Sequence, residues 1–373
     1  MKRGCLFGGL LILALGIVYF QPVFFPQKAP EPRHSVTQNS ADGIPTTMNF
    51  EPIPAQGYAK FIGEPVKTFA ERFGEPVKTF SSGYGYTVSL YPTKGEEYVE
   101  VNSEKGKITA IKITGKEAGD LEPFSIGMKM SELSQLTMIY PNFTLSYGKE
   151  DITLELMEED MNYRPLIAFD NDTFAVLFFD QANSQLFAAA FVDQETLLKL
   201  APYQIVSGKA PSFQETTDDW AKIDFEKAQN SLQLLNVLRN FDQLPAYFSN
   251  PQAEDQAETL LADFLEKPED ILQDDRLDDY HNVVSKENRQ PFLLSTDEWN
   301  RLLQKHEITK AQGIFELPTY DPTFQLLTYY SDPYLHPKFS REEPETASIA
   351  ISKENMVVLL QEQETKVEES GAN

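Results

Sequence analysis

The chain has 373 residues, 41% of them hydrophobic, and a net charge of −25. This length can form two globular domains, whereas the widely spread negative charge excludes nucleic acid as a partner and disfavours broad contact with anionic lipid. Cys5 is the only cysteine, which excludes an intrachain disulfide and a thiolate metal site.

Residues 4–20 form an uncharged, almost wholly apolar run behind Lys2 and Arg3. Extended over residues 4–25, the run offers about 20 apolar positions, enough to cross a bilayer. The two preceding cations predict a cytoplasmic N-terminus. A cleaved signal peptide and a buried core helix are the alternatives, but no Ala-x-Ala site follows the run. We therefore predict a membrane anchor at residues 1–25, a single pass through the cell membrane and an extracytoplasmic bulk.

Residues 26–54 contain six prolines among polar residues, which predicts an extended linker. Two Ile-Gly pairs then begin helical segments at residues 62–63 and 126–127, 64 positions apart. Segments that alternate at period two follow each helix and predict strands. We predict one α+β domain at residues 55–205, built from a duplicated α-β-β-β unit. The predicted strands are Tyr84–Tyr91, Glu97–Val101, Lys107–Ile113, Phe143–Tyr147, Ile152–Met157, Leu166–Phe169, Phe174–Asp180 and Leu186–Val192. The acidic stretch Glu158–Asp160 is interpreted as a charged loop.

The C-terminal domain is predicted at residues 221–361, after a second linker at residues 206–220. Two apolar stripes at helical spacing, at residues 225–238 and 253–265, predict long helices. An acidic tail at residues 362–373 is predicted to be disordered. The remaining predicted elements are short helices at Ile271–Tyr280 and Asp297–His306 and strands at Ile314–Leu317, Phe324–Tyr330, Ser348–Ile351 and Met356–Leu360.

Chemistry-bearing motifs are sparse in this sequence. The four histidines show no i, i+4 pairing of the kind that metal sites use. The acidic run 274–281 lacks the glycine and the alternate spacing of a calcium loop. The sequence contains no nucleophile elbow, phosphate loop or dinucleotide fingerprint. We therefore predict no catalytic residue, no metal ligand and no cofactor. The alternative is a hydrolase, whose site would require Asp279, His281, Glu298 and His306 to converge in one pocket.

A set of short motifs in the N-terminal half occurs in a characteristic order. They are Ile62-Gly63, Phe73-Gly74-Glu75-Pro76, Tyr84-Gly85-Tyr86, Leu90-Tyr91, Tyr98-Val99-Glu100-Val101 and Lys107-Ile108-Thr109-Ala110-Ile111. With them, the stretch from Phe61 to about Leu200 resembles the CAP-associated N-terminal domain of Gram-positive surface proteins. In that family the domain usually precedes a CAP domain of the cysteine-rich secretory protein type, which is a three-layer α-β-α sandwich. The resemblance therefore implies this fold for residues 221–361.

The C-terminal half is similar to a CAP domain only in short segments. Residues 257–264 align with the family's Ala-x-x-His-Ser-x-Asp-Met, so Leu260 stands at the position of the first cleft histidine. His306 lies near the second histidine by order alone, and its flanking residues differ. Since Leu260 also belongs to an apolar stripe, we place it in the core. The resemblance implies a degenerate, catalytically silent CAP-like domain.

Together, these patterns predict a membrane-anchored, extracytoplasmic binding or interaction protein of the cell envelope that is not an enzyme. The predicted partner is an envelope protein or a cell-wall polymer, in addition to the membrane itself through residues 4–25. A purely structural spacer is a third interpretation, which the sequence does not separate from the first.

Overall fold

The computed structural model describes residues 50–93, 97–217, 219–248, 250–286, 290–341 and 345–362. The predicted anchor at residues 1–25, nearly all of the predicted linker at 26–54 and all of the predicted tail at 362–373 except Glu362 lie outside the described residues. Within the described ranges, no helix combines the length and the hydropathy that a membrane crossing requires.

The N-terminal half is built on two antiparallel sheets. Its strands are β1 (Lys78–Ser81), β2 (Thr87–Leu90), β3 (Tyr98–Glu104), β4 (Lys107–Thr114), β5 (Asn142–Tyr147), β6 (Glu150–Glu155), β7 (Leu166–Ala168), β8 (Thr173–Phe179), β9 (Leu186–Asp193) and β10 (Gln204–Ser207). The large sheet has seven strands in the order β1-β2-β3-β4-β9-β8-β7, and the smaller sheet has the order β10-β6-β5. The helices are α1 (Val66–Phe73), α2 (Met130–Leu136), α3 (Glu158–Tyr163) and α4 (Gln194–Leu200).

The 64-residue offset in the sequence corresponds to a repeated contact in the fold. Gly63 and Gly127 both adopt φ +84°, a conformation that glycine adopts without steric cost. The Gly63 N–H donates to the carbonyl of Ile108 in β4, and the Gly127 N–H donates to Leu186 in β9, each at 2.8 Å. Strands β4 and β9 then pair with each other in the middle of the sheet. Each Ile-Gly pair thus fixes a short helix onto an equivalent central strand.

Both faces of the large sheet are buried. Along β8, Phe174, Val176 and Phe178 belong to a hydrophobic core that continues into the C-terminal half. The intervening Ala175, Leu177 and Phe179 belong to a second core that includes residues of α1 and α2. Because strand side chains alternate between faces, one face is covered by α1 and α2, and the other by the small sheet, α4 and the C-terminal half together.

The C-terminal half is an α-β-α sandwich. Alternate residues of its long C-terminal strand point into two different cores, one containing Met356 and Val358 and the other Val357 and Leu359. The strands β11 (Phe292–Leu293), β12 (Ala311–Leu317), β13 (Glu345–Ser352) and β14 (Asn355–Glu362) pair in the order β11-β12-β14-β13. The helices are α5 (Trp220–Phe241), α6 (Pro251–Glu266), α7 (Asp274–Val284), α8 (Thr296–Lys305), α9 (Pro322–Ser331) and α10 (His336–Phe339). Helices α5 and α9 contribute to the first core, and α6 and α8 to the second.

Two predicted elements are wrong. The segment Phe324–Tyr330, predicted as a strand, lies in helix α9, which begins at Pro322 with Asp321 as its N-cap. The segment is apolar almost throughout, so its periodicity does not distinguish a buried helix from a strand. The predicted loop Glu158–Asp160 is the first turn of α3, where acidic side chains complement the helix dipole.

Candidate functional site

Leu260, which the sequence resemblance places at the family's first cleft histidine, lies inside the protein. Leu260 in α6 is fully buried in a cluster with Phe264, Trp299 and Phe315. The rings of Phe264 and Phe315 are 4.5 Å apart. This confirms the placement of Leu260 in the core, and the site therefore offers hydrocarbon where the family pattern has an imidazole.

His306 follows α8 and contacts a carboxylate that a lysine already neutralises. Its Nε2 lies 3.0 Å from Oδ2 of Asp263, and Lys305 Nζ lies 2.8 Å from the same oxygen. Burial acts to raise the pKa of Asp263, but Lys305 and His306 outweigh it and the net shift is downward. Asp263 is therefore a poor proton acceptor at neutral pH. The pair suits a surface ion network at the end of α8.

The two carboxylates of the hydrolase alternative are arranged around an arginine. Arg276 contacts Asp279 at 3.9 Å and Glu298 at 2.9 Å. Glu298 also accepts a hydrogen bond from the Ser295 N–H at 2.7 Å, which completes a helix cap at the start of α8. The two carboxylates are thus joined by a cation.

The two histidines stay apart from these carboxylates. His281 is exposed on α7, with its ring 5.6 Å from that of Tyr280. His281 contacts Tyr280 and His306 contacts Asp263, so within the described residues neither histidine pairs with Asp279 or Glu298. In the described part of the chain, no three His, Cys, Asp or Glu side chains come together in a way that could hold a metal ion.

An open groove of about 400 Å³ lies beside the segment that leads into the N-terminal half. That segment is held to the edge of the large sheet, because the Ile53 N–H donates to the Ala168 carbonyl and the Asp170 N–H donates to the Ile53 carbonyl, both at 2.9 Å. The groove is lined by Phe50, Pro52, Thr144, Leu145, Ser146, Phe169, Asp170, Asp172, Phe174 and Gln194. Its apolar floor and its two exposed carboxylates suit a ligand that has both apolar surface and donor groups.

A buried charge cluster joins the two halves. We call Glu100, Lys112 and Asp321 the seam cluster; their exposed fractions are 1%, 1% and 6%. Glu100 on β3 faces Lys112 on β4 across the strand pair, whereas Asp321 comes from the start of α9. Lys112 Nζ lies 2.5 Å from both carboxylate oxygens of Asp321 and 2.6 Å from Oε1 of Glu100.

Polar neighbours satisfy the remaining oxygens of the seam cluster. Asn230 Nδ2 donates to Oε2 of Glu100 at 2.8 Å, and Asn102 Nδ2 donates to Oδ2 of Asp321 at 3.0 Å. Thr323 Oγ1 accepts from Lys112 at 2.7 Å. Burial acts to lower the pKa of Lys112, but the charges of Asp321 and Glu100 outweigh it and the net shift is upward. Lys112 is therefore charged, and the cluster is held by hydrogen bonds on every side.

A second buried lysine lies next to this cluster. Lys227 on α5 is 3% exposed, and its Nζ lies 4.5 Å from the ring centroid of Tyr84 and 5.4 Å from that of Trp220. Burial lowers the pKa of Lys227 to about 8. A cavity of about 10 Å³ separates Lys227 from the seam cluster, which is the size of one water molecule.

Reasoning from the sequence missed the seam cluster. A signal was present, because Glu100 is flanked by valines in an alternating strand and Lys112 by isoleucines, which places a charge at a position where a buried strand is expected to be apolar. The partner Asp321 is 209 positions from Lys112, and no periodicity links the two.

Comparisons with known proteins agree with this architecture. Residues 62–203 match the family model described as CAP-associated N-terminal. The uncharacterized membrane protein YlbC of Bacillus subtilis is 25% identical over 202 residues, which are 52% of this chain and 58% of that protein. The chain thus spans less than two thirds of the length of this relative.

Two solved structures share the fold. A cysteine-rich secretory protein from Staphylococcus aureus superposes with a TM-score of 0.65 at 16% identity, covering 84% of this chain and 95% of that one. An extracellular protein containing a SCP domain from Bacillus anthracis gives a TM-score of 0.64 at 20% identity, covering 88% and 100%.

Proposed function

From the premise that residues 62–203 are a CAP-associated N-terminal domain, we propose that this protein is a non-catalytic binding protein of the cell envelope. Residues 4–25 hold it in the cell membrane in a single pass, and its bulk lies outside the cytoplasm. The name of the Bacillus subtilis relative, a membrane protein, and the extracellular origin of the Bacillus anthracis structure support this location.

The burial of Leu260 is the observation that carries the non-catalytic role. A CAP-like cleft built on paired imidazoles lacks one of them here, because this position is filled by a side chain in the middle of a core. The hydrolase alternative needs a pocket that holds two carboxylates and a histidine. Its two carboxylates instead share Arg276, whose charge holds the pKa of Glu298 below its usual value against the effect of burial.

The groove beside Phe50 is the surface we propose for the partner, which is an envelope protein or a cell-wall polymer. It lies next to the segment that leads in from the membrane side of the chain and is open to solvent. Asp170 and Asp172 are exposed at its rim, so a partner that presents amines or other cationic groups complements it.

Site-specific photocrosslinking in intact cells tests this assignment. A photoreactive residue in place of Ser146, which is exposed in the groove, should give a discrete adduct with a protein or wall polymer. The same residue in place of Asp278, exposed on α7, is the matched control and should give none. Equal labelling at both positions, or none at Ser146, contradicts the proposed groove.

Location is tested separately from binding. In cells stripped of their wall, external protease should remove a C-terminal tag, while the protein stays in the membrane fraction before digestion. A tag that is protected until the membrane is broken contradicts the proposed orientation.

A further inference from the structure

The seam cluster holds an amine, a carboxyl group and a second carboxylate in direct contact inside the protein. Lys112 Nζ is equidistant, at 2.5 Å, from the two carboxylate oxygens of Asp321. An amine held between both oxygens lies close to the carboxyl carbon that joins them, and a turn of the carboxyl group about its Cβ–Cγ bond would present a face of that carbon to Nζ. The nucleophilic atom of one side chain is therefore held next to the electrophilic atom of another, in an environment where both residues are almost fully buried.

The groups around Asp321 are those that activate a carboxyl group. Asn102 Nδ2 donates to Oδ2 at 3.0 Å, which can stabilise negative charge as it develops there. The Phe324 N–H donates to Oδ1 at 3.0 Å, and Thr323 Oγ1 lies 2.9 Å from the same oxygen. The two carboxyl oxygens thus have different donors, and only Oδ1 is reached by a hydroxyl.

A path for protons runs from the amine to Oδ1. Glu100 Oε1 lies 2.6 Å from Lys112 Nζ, and Glu100 Oε2 lies 3.0 Å from Thr323 Oγ1. Thr323 in turn contacts Oδ1 of Asp321. A carboxylate followed by a hydroxyl is a suitable relay for general acid–base transfer over these distances.

The geometry points to an intramolecular isopeptide bond between Lys112 and Asp321, formed by the chain itself and linking its two halves covalently. This inference goes beyond the proposed function and does not depend on it, because the modification needs no external ligand.

The reaction balances without any other reactant. One proton passes from the Lys112 ammonium through Glu100 and Thr323 to Oδ1, which leaves a neutral amine and a carboxylic acid. Nζ then attacks Cγ, and the C–N bond forms as Oδ2 gains the negative charge that Asn102 stabilises. A second proton follows the same path to Oδ1, the C–Oδ1 bond breaks and water leaves. The products are an amide and one water molecule, and Glu100 is again a carboxylate.

Burial favours the neutral forms through which this reaction passes. Removing charged groups from water is costly, and amide formation eliminates both charges of the pair. The attraction within the cluster opposes this, since it raises the pKa of Lys112 and lowers the pKa of Asp321 against burial. The ion pair is thus the resting form of the unreacted protein, and its fixed contact provides the proximity that makes a slow intramolecular step feasible.

Mass spectrometry of the purified full chain tests the bond directly. The intact mass should be lower than that of the Glu100→Gln variant, after correction for the substitution, by one water molecule. In the wild type, trypsin should fail to cleave after Lys112, and residues 108–116 should be recovered joined to residues 311–338. With Cys5 as the only cysteine, no disulfide can imitate this link.

Two variants test which neighbouring residues the bond requires. Glu100→Gln keeps the side-chain shape but removes the relay, so this variant should show the full sequence mass and normal cleavage after Lys112. Lys227→Met removes the neighbouring buried lysine and should retain the linked peptides. If Glu100→Gln fails to fold, the wild-type digest still decides the question.

The proposal is overturned if the wild type has its full sequence mass, or if water is lost at another residue and cleavage after Lys112 is normal. Linked peptides that persist in folded Glu100→Gln would overturn the relay.

Discussion

Buried glutamates in the C-terminal half differ in charge according to their partners. Glu298 is 4% exposed, and burial acts to raise its pKa, but Arg276 outweighs this and the net shift is downward. Glu316 is 1% exposed and accepts a hydrogen bond from the Tyr329 hydroxyl, and no cation among the described residues pairs with it. Burial raises the pKa of Glu316 to about 8, so Glu316 is protonated at neutral pH.

The stability of the protein should therefore fall as Glu316 is forced to ionise. In the unfolded chain a glutamate releases its proton near pH 4.5, whereas the folded protein keeps it until about pH 8. Between these values the folded state binds more protons, so the free energy of unfolding decreases as pH rises. Glu316→Gln removes this pH dependence. Its free energy of unfolding should exceed that of the wild type by an amount that grows from near zero at pH 4 to about 4 kcal/mol at pH 8. Urea unfolding at several pH values measures it.

Glu298→Gln is the matched control, since it is the same substitution at another buried position. It removes a charge that Arg276 stabilises, so this variant should be less stable than the wild type at pH 7, and the deficit should shrink as pH falls and Glu298 is protonated. If both variants show the same pH dependence, the opposite pKa shifts assigned to the two glutamates are incorrect.

At the scale of elements, the turn between β1 and β2 fixes the contact between the two halves. Gly83 adopts φ +81° there, and a Cβ at this position would lie 2.3 Å from the Trp220 ring. The adjoining Tyr84 ring packs 5.1 Å from that of Trp220, and the Tyr86 hydroxyl donates to the Tyr320 carbonyl at 2.9 Å. A glycine is required here both for the backbone conformation and for the space that the indole occupies.

Alanine substitution separates these two requirements. Gly106, in the turn between β3 and β4, has a similar φ of +78° with nothing within 4 Å of an added Cβ. Gly106→Ala should therefore lower the free energy of unfolding only by the conformational cost, about 1 kcal/mol. Gly83→Ala adds a steric conflict and should lose about 3 kcal/mol in all. Denaturant unfolding of both variants provides the comparison, and equal losses would contradict tight packing of Trp220 on this turn.

Strand β5 was predictable from its period, whereas helix α9 was not. Residues 143–147 alternate between buried and more exposed positions and lie in strand β5 as predicted. Helix α9 was missed because Phe324, Leu326 and Leu327 are all buried, which removes the polar face on which a helical period depends. The sequence signal for helix α9 lay at its start, in the N-cap residue Asp321 and in Pro322 at the first helical position.

For the whole molecule, one hydrophobic core crosses the boundary between the halves. Phe178 of β8 contacts Phe324 of α9 at a ring separation of 5.6 Å, and Phe187 of β9 contacts Tyr330 at 5.5 Å. All four side chains are buried. The seam cluster and the Trp220 contact lie along the same boundary. Each half would therefore expose part of its buried core if the other half were absent.

The halves should therefore unfold together. Calorimetry of the full chain should show a single transition for the described part of the protein, and Phe178→Ala should destabilise it by about 4 kcal/mol because a large buried ring is lost. Amide exchange in β4 and in β14 should accelerate equally in this variant. Val77→Ala, at an exposed position, should change neither. Two separate transitions, or faster exchange in one half alone, would contradict a shared core.

Contacts between residues that are far apart in the chain are the part of the site that could not be predicted from the sequence. The placement of Leu260 followed from a stripe within a single helix, a local pattern. The seam cluster needed strands β3 and β4 to meet the start of α9, and the groove needed the segment at Phe50 to reach β5. Such contacts depend on how the layers stack, and one sequence carries no direct record of that stacking.

The two ends of the described chain are held with very different mechanical strength. Ile53 is fixed to the edge of the large sheet by a single parallel bridge, whereas β14 lies between β12 and β13 and is paired along its length with both. If the described chain were pulled apart at its two ends, the N-terminal segment would peel away first, and β14 would resist until two hydrogen-bonded ladders sheared together. Load would thus open the groove beside Phe50 long before it disturbed the sandwich.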